Sequence, residues 1–399
     1  MAIIQGKVSL KKGREASARR FHPWIFSGAI QSIEGSPVDG NWVEVVDSTG
    51  NTLGFGHYQK GTITVRLITF SREAPTPEIY QEKIEKAFKQ RVLTKVVNEF
   101  TNCYRLVHGE GDGLSGLILD VYQGVVVMQA HSPGMHADRK LVARAVQVVM
   151  GDLVKAIFYK SQHTLSGKTE AEYLLGMSVL PHMVLEHGNK FFVDWEEGQK
   201  TGFFLDQREN RQLVGAMSKG TRVLNTFCYT GGFSVYALTA GAERVCSVDA
   251  SEKAIALTKK NIALNGFDAN QHACLTADTF DFLKEMPNRQ QGVTDPYDLI
   301  ILDPPAFAKH KDARHQAMKG YQRLNAEAMR VVKPNGIIFT FSCSQVVDRQ
   351  LFYDTVVSSA IQAGREIKVL HHLSQPSDHP VSIYHPDGEY LKGLVLYVN

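Results

Sequence analysis

From about Leu185 to the last residue, short apolar runs alternate with longer amphipathic stretches, and no other feature limits the fold so tightly. The runs lie at Arg222–Phe227, Arg244–Asp249, Ala273–Ala277, Tyr297–Leu302, Gly336–Phe341, Glu366–His371 and Gly393–Val398. Most gaps between them read as helices, as from Ser251, a good N-cap, to the stop at Asn265-Gly266. Strands joined by helical crossovers must run parallel. The expected fold class is α/β: a largely parallel, doubly wound sheet with helices on both faces and ligands at the carboxyl ends of its strands.

The rest of the chain has a different rhythm. Residues 1–73 look all-β, with short runs such as Trp42–Val46 and Thr62–Arg66 between glycine turns. Ala74-Pro75-Thr76-Pro77 reads as a linker, because closely spaced prolines block helix and sheet alike, and a helix is expected from about Glu78 to Phe100. From Arg105 to Pro181 the pattern is mixed. Leu117–Tyr122 and Val125–Ala130 should pair around Gln123-Gly124, followed by an amphipathic helix over Ala137–Met150. Three domains are therefore expected: 1–73, a central α/β domain at 74–184, and 185–399.

The central block also spells GxGxxG, at Gly111, Gly113 and Gly116. A dinucleotide fingerprint needs a helix opening at its third glycine, and here the strand Leu117–Asp120 follows, so a glycine-rich hairpin turn is expected.

At 399 residues the chain is long enough for several cores, and its net charge of +3 says little until its distribution is examined. Lys7, Lys11, Lys12, Arg14, Arg19 and Arg20 crowd the first twenty residues against a single acid, Glu15; Lys309, Lys311, Arg314, Lys319 and Arg323 form a second cluster. Two basic clusters suit a polyanion such as RNA, whereas either alone also fits an ordinary solvated face. Five cysteines without paired spacing argue for a reducing compartment, and no His/Cys group has the spacing of a metal site. The amino-terminal MAIIQGKVSL lacks a signal-like apolar segment and no run approaches membrane length, so a cytoplasmic protein without a metal is expected.

The chemistry should gather at the strand ends of the last domain. The first strand leads into Asn225-Thr-Phe227-Cys-Tyr229-Thr230-Gly231-Gly232, where the glycines allow a ligand close to the backbone and a helix start offers free N–H donors. The second ends in Asp249-Ala250-Ser251, 24 residues after Asn225, where a carboxylate can take both hydroxyls of a ribose. Asp278-Thr279, after the third, can meet an adenine amine. These elements serve dinucleotides and S-adenosylmethionine alike.

The fourth strand ends in Asp303-Pro304-Pro305-Ala306-Phe307, a stiff turn of the kind used by nucleic-acid methyltransferases to hold an extruded base beside the methyl donor. The fifth ends at Ser342-Cys343-Ser344 and should lie beside the fourth, bringing Cys343 and Asp303 to one crevice. Methylating cytosine C5 needs a thiolate on C6 and an acid at N3, and these are the roles expected of Cys343 and Asp303. Cys103, Cys246 and Cys274 read as packing or incidental, and Cys228 as a lining of the donor turn.

At these residues the chain resembles the bacterial large-subunit rRNA cytosine-C5 methyltransferases. The resemblance runs through Lys11-Lys12-Gly13-Arg14-Glu15, His22–Gly28, Lys200–Arg208, Tyr229–Phe233, Asp303–Phe307, Phe341–Ser344, Asp378-His379-Pro380 and Tyr390–Gly393. It implies an N-terminal PUA domain, a central RNA-binding domain and a Rossmann-like methyltransferase domain using S-adenosylmethionine, with Cys343 at the family's motif cysteine. It also implies that Asp206-Gln207-Arg208 lies near the donor, where Arg208 can pair with the methionine carboxylate. Ala306 stands where the family carries lysine, so Lys309 or Lys311 is expected to replace it.

Lys11, Lys12, Arg14, Arg19, Arg20, Pro304, Pro305, Phe307, Lys309, Lys311 and Arg314 are the expected RNA contacts. Rival readings are a methyltransferase acting on guanine or an exocyclic amine, a non-catalytic RNA-binding or assembly factor, and, more remotely, a NAD-dependent oxidoreductase.

Overall fold

Short strands punctuated by glycine build the first part of the chain. The computed structural model describes residues 3–165, 169–289, 297–308 and 310–399. β1 (Ile4–Leu10), β2 (Trp24–Phe26), β3 (Ile30–Glu34), β4 (Trp42–Val46), β5 (Thr52–Tyr58) and β6 (Ile63–Thr69) form one sheet in the order β2-β6-β5-β4-β1-β3. Val8, Leu10, Ile25, Val43, Val45, Val65 and Leu67 fill its core. A short helix, Ala16–Arg19, interrupts the expected all-β run.

The next helix spans Ile79–Leu93, seven residues short of the expected end at Phe100. Lys95 takes a left-handed φ of 57° and the β-branched Val96 and Val97 follow, so the helix cannot continue. β7 (Cys103–His108), β8 (Leu117–Tyr122), β9 (Val125–Ala130), β10 (Ala156–Tyr159) and β11 (Glu172–Leu175) make a second sheet in the order β11-β10-β9-β8-β7. Cys103 opens β7. β8 and β9 pair across Gln123 and Gly124, whose φ of 46° and 88° are those of a primed hairpin turn.

The GxGxxG segment joins the antiparallel β7 and β8 as a turn. A Cβ on Gly111 would lie 1.9 Å from the carbonyl oxygen of Pro380, so this glycine serves close packing of backbone on backbone.

Two compact units divide the chain. One holds everything up to Val184 together with Val193–Leu205 and Ser377–Gly388; the other holds Leu185–Phe192, Asp206–Pro376 and Glu389–Asn399. Residues on both sides of the expected boundary at 73/74 thus share a unit, and a buried polar knot explains why. Trp42 Nε1 and Tyr80 OH donate to Asp138 Oδ2 at 2.9 and 2.5 Å, and His57 Nε2 meets the same oxygen at 3.1 Å.

β12 (His182–Glu186) and β13 (Asn189–Val193) form a two-stranded ribbon. The second unit is built on a seven-stranded sheet of β14 (Arg222–Thr226), β15 (Arg244–Asp249), β16 (His272–Thr276), β17 (Leu299–Leu302), β18 (Gly336–Ser342), β19 (Ile367–Ser374) and β20 (Lys392–Val398). Its order is β16-β15-β14-β17-β18-β20-β19, and β16 through β18 pair parallel. β20 alone runs against its neighbours, between β18 and β19. Leu224, Val248, Ile300, Leu302, Ile338 and Leu396 lie in the core of this sheet. Strand order reverses between β14 and β17, and the crevice outside that switch point is where an open α/β sheet takes its ligand.

Candidate active site

The turn after β14 runs through the left-handed region of backbone conformation. Phe227 and Tyr229 hold positive φ of 52° and 47°, and Gly231 follows at 76° as the N-cap of the helix Gly232–Thr239. A Cβ on Gly231 would sit 2.7 Å from Thr258 Cγ2, and one on Gly232 2.9 Å from Arg211 Cδ, so neither position has room for a side chain. Asp249, at the end of β15, accepts from Tyr229 N at 3.0 Å through Oδ2 and from Ser251 N at 2.9 Å through Oδ1. One lone pair on each oxygen is thereby used and one remains. Ser251 caps its helix, accepting from Ala254 N, and Ala250 between them is exposed. Asp278 caps the next helix, its Oδ1 accepting from Phe280 N and Asp281 N at 2.8 and 3.1 Å, while Thr279 is buried.

Asn225 is the penultimate residue of β14. It is fully buried, and its Nδ2 donates to Ser234 Oγ at 2.8 Å, opening a polar chain through Ser247 to His272 inside the domain. It supports the turn from behind. Thr230 is buried too, its carbonyl accepting from Asn261 Nδ2.

β17 and β18 lie side by side, Leu302 opposite Thr340, so Asp303 and Cys343 follow adjacent carboxyl ends as expected. Gln207 Nε2 donates to Asp303 Oδ1 at 3.0 Å, and Asn210 Nδ2 in turn holds Gln207 Oε1 at 2.6 Å. Tyr390 OH donates to Asp206 Oδ2 at 2.7 Å. The serines flanking Cys343 are bolts: Ser342 Oγ donates to Tyr321 OH at 3.0 Å, and Ser344 Oγ to the carbonyl of Ala308 at 2.8 Å. The second bond ties the cysteine loop to the chain leaving the Asp-Pro-Pro turn. Cys343 itself is half-buried.

The other cysteines are poor nucleophiles. Burial pushes the thiols of Cys228 and Cys246 up, and that of Cys274 to about 11; Cys103 is fully buried. Cys228 points its sulfur at Thr258 Oγ1, 3.6 Å away, inside the turn.

Pro304 is buried and Pro305 exposed. Phe307 packs on Tyr321 at 4.6 Å between ring centres and lies over Gly320. Arg314 is exposed at the start of the helix Arg314–Val331; Lys311 opens the short turn before it, and Lys309 lies outside the described residues. Arg208 is buried 3.5 Å from Glu186, which accepts both Nε and Nη2 of Arg211 at 2.7 Å. Both guanidiniums thus meet one buried carboxylate.

In the other unit Lys11, Lys12, Arg14, Arg19 and Arg20 are all exposed, with Arg19 paired to Asp47 at 2.6 Å and Lys11 Nζ donating to the Gly28 carbonyl. The sequence reading missed the rings beside them. Phe21 and Tyr384 lie 5.3 Å apart, His22 and Phe26 6.1 Å, and Trp24 and His385 4.3 Å; Phe21, Phe26 and Tyr384 are 49, 43 and 47% exposed. Gln207's grip on Asp303 and the role of Glu186 also escaped it, since no local pattern announces a contact across such separations. No group of side chains among the described residues could hold a metal, and no helix among them is long and apolar enough to cross a membrane.

An open sheet with this switch point, a glycine turn beside the strand-ending Asp249 and a stiff Asp-Pro-Pro turn agree with an S-adenosylmethionine-dependent methyltransferase. The family model of that description matches residues 104–391, and a PUA-like domain model matches 8–70. Ribosomal RNA large subunit methyltransferase I of Aeromonas hydrophila is 37% identical over 98% of this chain and 99% of its own length. The enzyme of the same name from Shewanella amazonensis is 38% identical over 98% and 99%. The chain belongs to this family of S-adenosylmethionine-dependent methyltransferases. Its fold is shared by a putative S-adenosylmethionine-dependent methyltransferase from Streptococcus mutans, with TM-score 0.83 and 23% identity over 98% of this chain and all of the other. A putative methyltransferase complexed with SAH gives 0.84 and 24% over the same shares. The cofactor is S-adenosylmethionine, and the dinucleotide reading of the turn falls.

Proposed function

We propose that the protein forms 5-methylcytosine in large-subunit ribosomal RNA, in the cytoplasm, through a covalent bond between Cys343 and the base. The name shared by its full-length relatives supports the substrate. The observation that carries the chemistry is a half-buried cysteine locked by two serine bolts at the strand end adjoining Asp303.

S-adenosylmethionine supplies an electrophilic sulfonium methyl group. Asp249 takes the ribose hydroxyls with its remaining lone pairs, and Ala250, Ser251, Asp278 and Thr279 line the adenosine side. Phe227, Tyr229, Thr230, Gly231 and Gly232 form the wall under it, and Arg208 receives the methionine carboxylate. Gln207 fixes Asp303 so that its carboxyl meets the cytosine at N3. The Cys343 thiolate bonds to C6, the electrons of the 5,6 double bond move to C5, and C5 takes the methyl group as the methyl–sulfur bond breaks and leaves the donor as the neutral thioether. Loss of the C5 proton to water then drives the electron pair back into the double bond and expels the thiolate.

Residues 1–73 and 74–184 serve as RNA-binding domains and 185–399 as the catalytic one. Lys11, Lys12, Arg14, Arg19 and Arg20, with Pro304, Pro305, Phe307, Lys309, Lys311 and Arg314, meet the RNA. A base methylated on its own nitrogen needs no thiolate, so the test is direct. Ribosomal RNA incubated with methyl-labelled donor and digested to nucleosides should yield 5-methylcytosine with the wild type and none with Cys343→Ala. Another labelled nucleoside, or undiminished yield from the variant, would refute the reading.

A further inference from the structure

A lysine opening an otherwise apolar strand is expensive, and Lys392 in Leu391-Lys-Gly-Leu-Val-Leu-Tyr-Val398 is 96% buried. Its Nζ donates to the carbonyls of Ser344 and Val347, both at 2.6 Å. β20 lies antiparallel beside β18 with Lys392 opposite Ser342, so the ammonium is fastened to the loop immediately after Cys343. The methyl-transfer scheme makes no use of it.

We propose that Lys392 is the positioning residue of the nucleophile: it pins the loop that presents Cys343 and supplies the fixed positive charge that favours the thiolate over the thiol. This inference rests on Cys343 being the nucleophile. Ser342 and Ser344 already fasten the loop through Tyr321 and Ala308, so a third fastening by a neutral donor would complete the geometry. A cation adds something those bolts cannot, since the thiolate is the reactive form.

The surroundings agree. Of the charges acting on Lys392, that of the Cys343 thiolate favours its protonated form most, ahead of Glu389 and Asp348, while Arg349 opposes it. Tyr321, raised to about 12 chiefly by burial, also feels the negative charges of Cys343 and Asp303. Burial brings the ammonium down to about 8, so the charge is present at neutral pH and fades above that value. Its help to the thiolate is therefore strongest below about pH 8 and lost as pH rises further.

The experiment needs neither RNA nor donor. The full-length protein is alkylated with iodoacetamide across pH 5.5 to 10 as a chosen range, and labelling of each cysteine is read by peptide mass spectrometry. In the wild type, Cys343 should reach half its maximal rate below the ordinary thiol value of about 8.5. Lys392→Gln keeps a donor for the carbonyls but removes the charge, and should raise that midpoint by about one pH unit and slow labelling at pH 7 roughly tenfold. Lys392→Arg should return most of the shift.

Unchanged Cys274 labelling shows that the variant is folded. A wild-type midpoint at or above the ordinary value, or equal profiles for wild type and Lys392→Gln, overturns the proposal. The wild-type measurement decides it even should Lys392→Gln fail to fold. Persistent 5-methylcytosine from Cys343→Ala would instead refute the covalent mechanism and leave these profiles untouched, so the two failures are distinguishable.

Discussion

At the ends of β15 and β16, Asp249 is held by the N–H groups of Tyr229 and Ser251, and Asp278 by those of Phe280 and Asp281. At the ends of β17 and β18 the fastening is done by side chains: Gln207 on Asp303, Ser344 on Ala308, Lys392 on the loop beyond Cys343. The two carboxylates proposed for the adenosine are thus held by main chain, and the proposed nucleophile half by side chains brought from 96, 36 and 48 positions away. Main-chain geometry belongs to the fold and tolerates much substitution. Side-chain fastenings are individually replaceable, so chemistry can be tuned at β17 and β18 without disturbing the donor.

That contrast can be broken by variants read out twice, for donor affinity and for turnover. The largest effect belongs to Cys343→Ser, which should cut turnover by roughly three orders of magnitude or more while calorimetry finds donor affinity unaltered. A weakened donor would mean that the two halves are not separate. Next comes Asp249→Asn. An amide replaces one acceptor oxygen with a donor, and losing a hydrogen bond to a charged group costs about 1.5–3 kcal/mol, so donor affinity should fall roughly ten- to hundredfold. Turnover at saturating donor should change far less.

Gln207→Leu should show the reverse. Asp303 keeps its place on the main chain but loses its Nε2 partner, and the apolar isostere leaves Asn210 to find another acceptor. A cost of about 1–1.5 kcal/mol predicts a five- to twelvefold lower turnover with donor binding intact. Equal losses in both measurements would place Gln207 in the donor half.

The same division marks what could be read from sequence. The parallel order of β14 to β18, the Ser251 cap and the hairpin at Gln123-Gly124 follow from periodicity and turn chemistry, which are local. So does the place of Asp249. The reversal of β20 between β18 and β19 left no local trace, because an antiparallel insertion changes which strands meet without changing either strand's pattern. Asn225 reads as a ligand contact because it precedes the glycine turn, and its Nδ2 bond to Ser234 is one that no local pattern announces. The expected helix end at Phe100 failed for a smaller reason: charged and polar residues kept the pattern plausible past Leu93, and the left-handed Lys95 is invisible to it.

Ser344→Ala is the finest test. Its hydroxyl donates one buried bond, to the Ala308 carbonyl, and that bond alone joins the cysteine loop to the segment leaving the Asp-Pro-Pro turn among the fastenings named above. Removing it leaves the carbonyl short of a partner at a net cost of about 1 kcal/mol, which should lower Tm by roughly 2–4 °C. Lys392 still holds the Ser344 carbonyl, so the loop stays in place and the pH midpoint of Cys343 alkylation should not move. Turnover should drop about two- to fivefold, because Asp303 and Cys343 must meet the same ring and a loosened link widens their spread of positions. A shifted alkylation midpoint would show that the serine, and not only the lysine, sets the thiol's charge. An unchanged turnover would show that the two strand ends are positioned by the sheet itself, with the serine contributing only stability.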